Sequence, residues 1–118
     1  EEKEMIVILN NKEDFEKEIA QGNTVVDFFA TWCGPCRMMG QIMENIETDF
    51  PTVKFLKVDV DKFPEITAKF NISSIPDMYF FKDGKKIEVD SDGEKENDLL
   101  GARPEETFRD ILTASFGL

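Results

Sequence analysis

The chain has 118 residues, 41% hydrophobic and 33% charged, a balance suited to one globular domain with one core. Its net charge of −11 opposes binding to nucleic-acid backbones and anionic membrane surfaces, and no apolar run approaches the ~20 residues of a membrane span. Cys33 and Cys36 are the only cysteines and there is no histidine, which excludes a disulfide framework, histidine metal ligation and histidine acid–base catalysis.

The leading Glu1-Glu2-Lys3-Glu4 lacks the apolar stretch of a secretory signal. Residues 5–9 form a short apolar run read as a strand. Asn10 or Asn11 caps a predicted helix over 12–21, with Phe15, Ile19 and Ala20 on its buried side, and Gly22-Asn23 ends it. Residues 24–29 are nearly all apolar, as in a strand covered on both faces. Met38, Met39, Ile42, Met43 and Ile46 recur at helical spacing within 37–50, and Pro51 stops that helix. Residues 53–60 alternate as a strand, and Pro64 opens a short helix ending near Phe70-Asn71. Residues 78–81 form the next strand, which Asp83-Gly84 turns into a hairpin with 85–89. Pro104 starts a last helix with Phe108, Ile111 and Leu112 on one face. This order predicts an α/β fold, a central mixed sheet with helices on both faces. Neither a repeat nor a linker interrupts it, so residues 1–118 are read as one domain. Residues 90–98 are polar and acidic, and are expected to be an exposed loop.

Between the strand 24–29 and the next helix stands Trp32-Cys33-Gly34-Pro35-Cys36. Two thiols at this spacing can close a disulfide. Cys33 falls at the positive end of a helix, where unpaired backbone N–H groups favour thiolate over thiol. The result is a reversible dithiol/disulfide couple. The competing use is half of a zinc site, but two cysteines without histidine fall short of four ligands. Cys33 is the candidate nucleophile, attacking a partner's disulfide, and Cys36, one turn deeper, is the resolving thiol. Gly34 permits close approach of the partner, and Pro35 favours the first helical turn. Asp27 interrupts an apolar strand six residues before Cys33. Buried, it would have a raised pKa and accept a proton; at a strand end facing water it would be a surface charge.

The run from Val26 to Cys36, Val-Asp-Phe-Phe-Ala-Thr-Trp-Cys-Gly-Pro-Cys, resembles the active-site segment of the thioredoxin family. Lys57, Ile75-Pro76, Phe81-Lys82-Asp83-Gly84 and Gly101-Ala102 match that family in order and spacing, over residues 5–118. The resemblance implies the thioredoxin fold, a central mixed five-stranded sheet flanked by four helices. It implies a protein-disulfide reductase in which Cys33, Cys36, Asp27 and Lys57 are catalytic. Asp27 would help deprotonate Cys36, with Lys57 beside it. Pro76 is expected to be cis, with Ile75 pairing its backbone to an extended partner; the alternative is an ordinary strand-entry proline. Trp32, Gly34, Pro35, Ile75, Pro76 and Ala102 are expected to form an apolar, partner-facing patch. Trp32 would shield the motif, pack as a core aromatic, or do both. No metal or bound cofactor is expected, the electrons coming from NADPH through a thioredoxin reductase. The expected partners are that reductase and disulfide-containing proteins, with no nucleic acid and no membrane, for a cytoplasmic monomer. The Gly-Pro pair separates this site from glutaredoxin-like C-P-Y-C and isomerase-like C-G-H-C sites.

The chain departs from the family at four places. Asp77 stands where threonine is usual; it disfavours the Cys33 thiolate by like-charge repulsion, selects basic partners, or points into the sheet and stays protonated, and a modest effect on substrate choice is expected. Gln41, next to Gly40, replaces a proline that bends the second helix. Ser74 replaces a residue that is often glycine. Residues 90–98 read as extra length; Glu88 to Gly93 resemble the start of a calcium loop, but Glu88 and Leu99 fail at its first and last positions. The alternative function is a thioredoxin-fold binding or regulatory subunit without turnover.

Overall fold

In the computed structural model, which describes residues 5–118, the chain runs β1 (Ile6–Ile8), α1 (Phe15–Ile19), β2 (Asn23–Phe29), α2 (Gly34–Ile46), β3 (Val53–Asp59), α3 (Pro64–Lys69) and β4 (Asp77–Lys82). It continues through β5 (Lys85–Ile87), β6 (Val89–Ser91), β7 (Glu94–Glu96), β8 (Leu99–Leu100) and α4 (Glu105–Phe116). Residues 1–4, and the reading made of them above, lie outside the described residues.

The sheet has the order β1-β3-β2-β4-β5, with β1, β3 and β2 parallel and β4 and β5 antiparallel to their neighbours. The mixed sheet and the four helices are as expected, but the sheet has six strands where five were expected, the two-residue β8 pairing with β4. One edge of β4 pairs with β2. Its other edge is shared: β5 covers Phe80 to Lys82, and β8 covers Asp77 and Met78. That division brings the segment after β8 alongside Pro76, and the Gly101 N–H donates to the Pro76 carbonyl at 2.8 Å.

Period-two alternation sorts the strand side chains between two cores. On one face Val25, Phe55, Met78 and Phe80 pack against α2 and α4, and the Phe80 and Phe116 rings stack at 5.1 Å. On the other, Val26, Phe28, Leu56, Val58 and Phe81 pack against Phe15, Ile19 and Ile66 of α1 and α3. Phe70 caps this second core, with ring contacts to Phe15, Phe28, Tyr79 and Phe81. Burying each such ring stabilises the fold by about 1.5–3 kcal/mol, so both faces are held by strong apolar contacts.

Three expectations on element length are corrected. The helix expected over 12–21 is a 3₁₀ turn (Lys12–Asp14) followed by five α-helical residues. Neither Asn11 nor Asp14 makes a capping bond, so the first turn stays tight. The helix expected over 37–50 starts at Gly34, ends at Ile46 and tightens into a 3₁₀ turn over Glu47–Asp49. The expected loop over 90–98 is a β-hairpin, β6 paired with β7, turning at Asp92-Gly93 where both residues have positive φ (54° and 84°). Val89 is buried at its base, and the Ser115 hydroxyl at the end of α4 accepts from the Asp90 N–H. The Asp90 carboxylate accepts from the Gly93 N–H and pairs with Lys95.

Candidate active site

Strand β2 ends at Phe29, and four residues later Cys33 stands at the N-cap of α2 in extended conformation (φ −92°, ψ 114°). Pro35 sits in the first helical turn, where its missing N–H has no intrahelical partner to lose. The Cys36 N–H points back and donates to Cys33 Sγ at 3.2 Å. Such a donor, together with the helix dipole, stabilises negative charge on that sulfur. The two Cα atoms are 5.2 Å apart, and the cysteines are joined as a disulfide. Both are buried, Cys36 the more deeply (2% against 6% exposed). They pack with Ala30, Phe29, Val60 and Ile75.

The Ile75–Pro76 bond is cis, as expected. The Ile75 carbonyl oxygen lies 3.9 Å from Cys33 Sγ, so the loop before β4 forms one wall of the site. Gly34 and Pro35 are exposed, and Ile75 and Ala102 half-buried. Pro76 is buried, so it shapes this wall and does not offer surface. Leu100, which the sequence reading missed, is 53% exposed beside them. The Arg103 guanidinium holds this rim by donating to the Leu100, Gly101 and Ala102 carbonyls.

Trp32 is 68% exposed, which overturns its reading as a core aromatic. Its indole N–H donates to Asp61 at 2.8 Å, and the Asp61 N–H donates in turn to Asp59. The ring is thus a tethered flap at the rim. Asp61 escaped the sequence reading because this contact spans 29 residues with no local pattern. Between Trp32 and Ile75 runs a shallow groove of about 170 Å³, floored by Val60 and Ile72, with Ser74 in its wall.

Asp27 and Lys57 are register partners on β2 and β3, so both point to the face that carries α2. Lys57 Nζ donates to Asp27 Oδ2 at 2.9 Å. Asp27 is fully buried, and its Oδ1 has no partner among the described residues. Burial pushes its pKa up, against the opposing pull of the Lys57 ammonium. Lys57 also lies 4.5 Å from the Phe29 ring centroid and reaches a cleft of about 330 Å³ lined by Phe29, Ala30, Cys36 and Gly40. Cys36 and Lys57, the partner of Asp27, both line that cleft, which has room for water.

Helix α2 runs unbroken through Gly40 and Gln41. A Cβ on Gly40 would meet only the end of Lys57, 3.4 Å away. We expect Gly40→Ala to stabilise the protein by about 0.5–1 kcal/mol, read from urea unfolding, because a mid-helix glycine carries excess backbone entropy.

Asp77 points into the sheet, which overturns its reading as a surface charge facing the thiolate. It lies on the face opposite Asp27, in register with Phe28.

These features meet a consistent set of relatives. A sequence model described as Thioredoxin matches residues 6–111. The thioredoxin of Chlamydia trachomatis is 43% identical over 90 residues, covering 76% of this chain and 87% of that protein. That of Staphylococcus aureus is 33% identical over 109 residues, covering 92% and 96%. The solved structure of oxidised thioredoxin from Plasmodium falciparum superposes with a TM-score of 0.76 at 30% identity, covering 92% of this chain and 96% of that one. The chain belongs to the thioredoxin family, and with its Cys33–Cys36 pair it is a thiol-disulfide oxidoreductase that reduces protein disulfides.

Proposed function

We propose that the chain is a redox carrier working in four steps, each assigned to named groups. The Cys33 thiolate attacks a sulfur of the substrate disulfide, forms a mixed disulfide and releases one substrate thiolate. Asp27 then accepts the Cys36 proton across the cleft beside Gly40, with Lys57 orienting the carboxylate. The Cys36 thiolate attacks Cys33 Sγ, the second substrate thiolate leaves, and the Cys33–Cys36 disulfide closes. Two electrons have passed from the dithiol to the substrate. A thioredoxin reductase returns two electrons from NADPH and restores the dithiol.

The observation carrying this reading is the Cys36 N–H aimed at Cys33 Sγ at the start of α2, beside the Ile75 carbonyl. A substrate strand would lie along Ile75, its apolar side chains against Trp32, Gly34, Pro35, Ala102 and Leu100. Such a patch suits varied protein disulfides without charge matching. We further assign the chain to the cytoplasm, as one domain working as a monomer. A couple of this kind suits a reducing compartment. Among the described residues no helix is long and apolar enough to cross a membrane.

Insulin-disulfide reduction with NADPH and a thioredoxin reductase tests the carrier. We expect NADPH oxidation to depend on both the chain and insulin. Partner binding that survives Cys33→Ser plus Cys36→Ser, with no turnover by the parent, would establish the regulatory subunit instead.

A further inference from the structure

Two departures from the family pattern, Asp77 and the acidic segment 90–98, meet in space. Asp77 begins β4 immediately after Pro76 and is 4% exposed. Its Oδ1 is buried, and no donor of the described residues reaches it. Asp98 directly precedes Leu99, the register partner of Met78, so it continues β8 on the Asp77 side of β4, and its carboxyl adds to the rise of the Asp77 pKa. Two carboxylates cannot bond each other; such a contact forms only when the pair holds a proton. The β6–β7 hairpin delivers Asp98 to this spot, since Leu99 and Leu100 follow at once and pair with Met78 and Asp77.

The same few residues frame the substrate groove. β8 leads directly into Gly101 and Ala102, and Gly101 is bonded to Pro76. Beyond the β4–β8 pairing and that bond, the rim is tied by Arg103 to its own carbonyls. β8 is two residues long; Leu99 anchors it in the core at 1% exposed and the Arg103 N–H donates to Met39 Sδ, so the part of the rim free to shift is Leu100 and Gly101.

We propose that Asp77 and Asp98 share one proton and act as a pH-sensitive latch that positions the Leu100–Ala102 rim of the groove. With the proton in place the pair fastens β8 to β4. When it is lost, like charges separate, the half-buried Asp98 swings outward, and the rim loosens next to Ile75-Pro76. Asp77 is therefore a positioning residue and takes no part in the thiol chemistry. The inference rests on the groove assigned under the proposed function.

The electrostatics agree with the geometry. Burial first, then the contact with Asp98, raises the Asp77 pKa from 3.8 to about 8. On β4 and β5 the other titratable groups of this face are the Tyr79 hydroxyl, itself pushed up by burial and both carboxyls, and Lys86, whose Nζ lies 5.9 Å from the Tyr79 ring and 3.2 Å from Asn97 Oδ1; on β3, Lys54 is paired with Glu18 of α1. Phe28, across from Asp77 on β2, contributes no charge, and Asp27 points to the opposite face. The folded chain holds this proton more tightly than the unfolded one, so the Asp77 contribution to stability falls as pH rises from 3.8 to about 8 and levels off above.

The test uses the intact chain with insulin as substrate, comparing the parent with Asp77→Asn and Asp98→Asn between pH 6.5 and 9.5. Asparagine can donate to its partner at every pH. We expect the parent KM to rise relative to both variants by about three- to tenfold across this range, with the kcat ratio flat, because only the latched fraction binds well. Thiolate ionisation affects all three proteins alike and cancels in the ratios. Carboxyl-carbon NMR of the oxidised parent should show one of the two groups titrating near pH 8, accompanied by loss of hydrogen-exchange protection at the Gly101 N–H. Parallel KM profiles overturn the latch, as does titration of both carboxyls in the ordinary range. Absence of insulin turnover in the parent would count against the carrier reading, while the NMR titration and Gly101 exchange still decide the latch.

Discussion

Cys33→Ser is expected to abolish protein-disulfide reduction, while Cys36→Ser stops it after a single event. The difference follows from electron balance. Reduction of one disulfide needs two electrons, and the chain supplies them only by closing Cys33–Cys36. Serine cannot form that bond. In Cys33→Ser the remaining thiol is the deeper one, without the N-cap position and its N–H donor, so no mixed disulfide should form at all. In Cys36→Ser the attacking thiolate is intact, and the backbone N–H of residue 36 still reaches Sγ. One substrate thiolate should be released per protein, with the rest of the substrate left attached to Cys33. Insulin turnover, with mass spectrometry of the non-reduced products, reads both outcomes. At pH 6, well below the free-cysteine pKa of about 8.5, iodoacetamide should also label Cys33 of the reduced parent faster than free cysteine. Equal labelling rates would mean that the helix terminus does not prime this sulfur.

Much of this site is legible in sequence because it is local. A strand, the C-x-x-C and a helix start occupy one continuous stretch, and the Met39–Ile42–Met43–Ile46 stripe fixes which face of α2 is buried. Asp27 and Lys57 lie 30 residues apart, yet parallel pairing of β2 with β3 makes them neighbours once the strand boundaries are known. Other features depend on tertiary placement. Trp32 reads as equally fit for core or rim, and its tether to Asp61 decides the matter. Leu99-Leu100 reads as apolar twice over, but a strand sends the first inward and the second to solvent. The β6–β7 hairpin hides because three-residue strands are too short to show a period and its exposed faces are charged. The only local signal was Asp92-Gly93, the same dipeptide chemistry that marks the Asp83-Gly84 turn. Asp77 could be assigned no environment from sequence, because the group facing it arrives from the far side of that hairpin.

Asp27→Asn is expected to slow resolution of the mixed disulfide by about 10- to 100-fold at pH 7, and by progressively less toward pH 9. An amide keeps the shape of the carboxylate but cannot take up the Cys36 proton. Above the thiol's own ionisation range Cys36 loses that proton to solvent, and the base becomes redundant. The attack by Cys33 should be unaffected, so substrate thiolate is released in a normal first phase followed by a slow second one. Lys57 does not become a stranded charge in this variant: it is 15% exposed, sits over the Phe29 ring and opens onto the cleft beside Gly40. The variant should therefore fold, and its stability should depend less on pH. In the parent, burial raises the Asp27 pKa, so the folded chain binds more protons than the unfolded chain from pH 3.8 upward. Stability is then lost as pH rises toward the folded-state pKa, and Asp27→Asn removes that loss. Thermal unfolding from pH 4 to 9 should show the variant gaining on the parent as pH increases. Stopped-flow Trp32 fluorescence gives the two kinetic phases. A second phase equally fast in both proteins at every pH would remove Asp27 from the proton path and leave its pair with Lys57 a matter of folding alone.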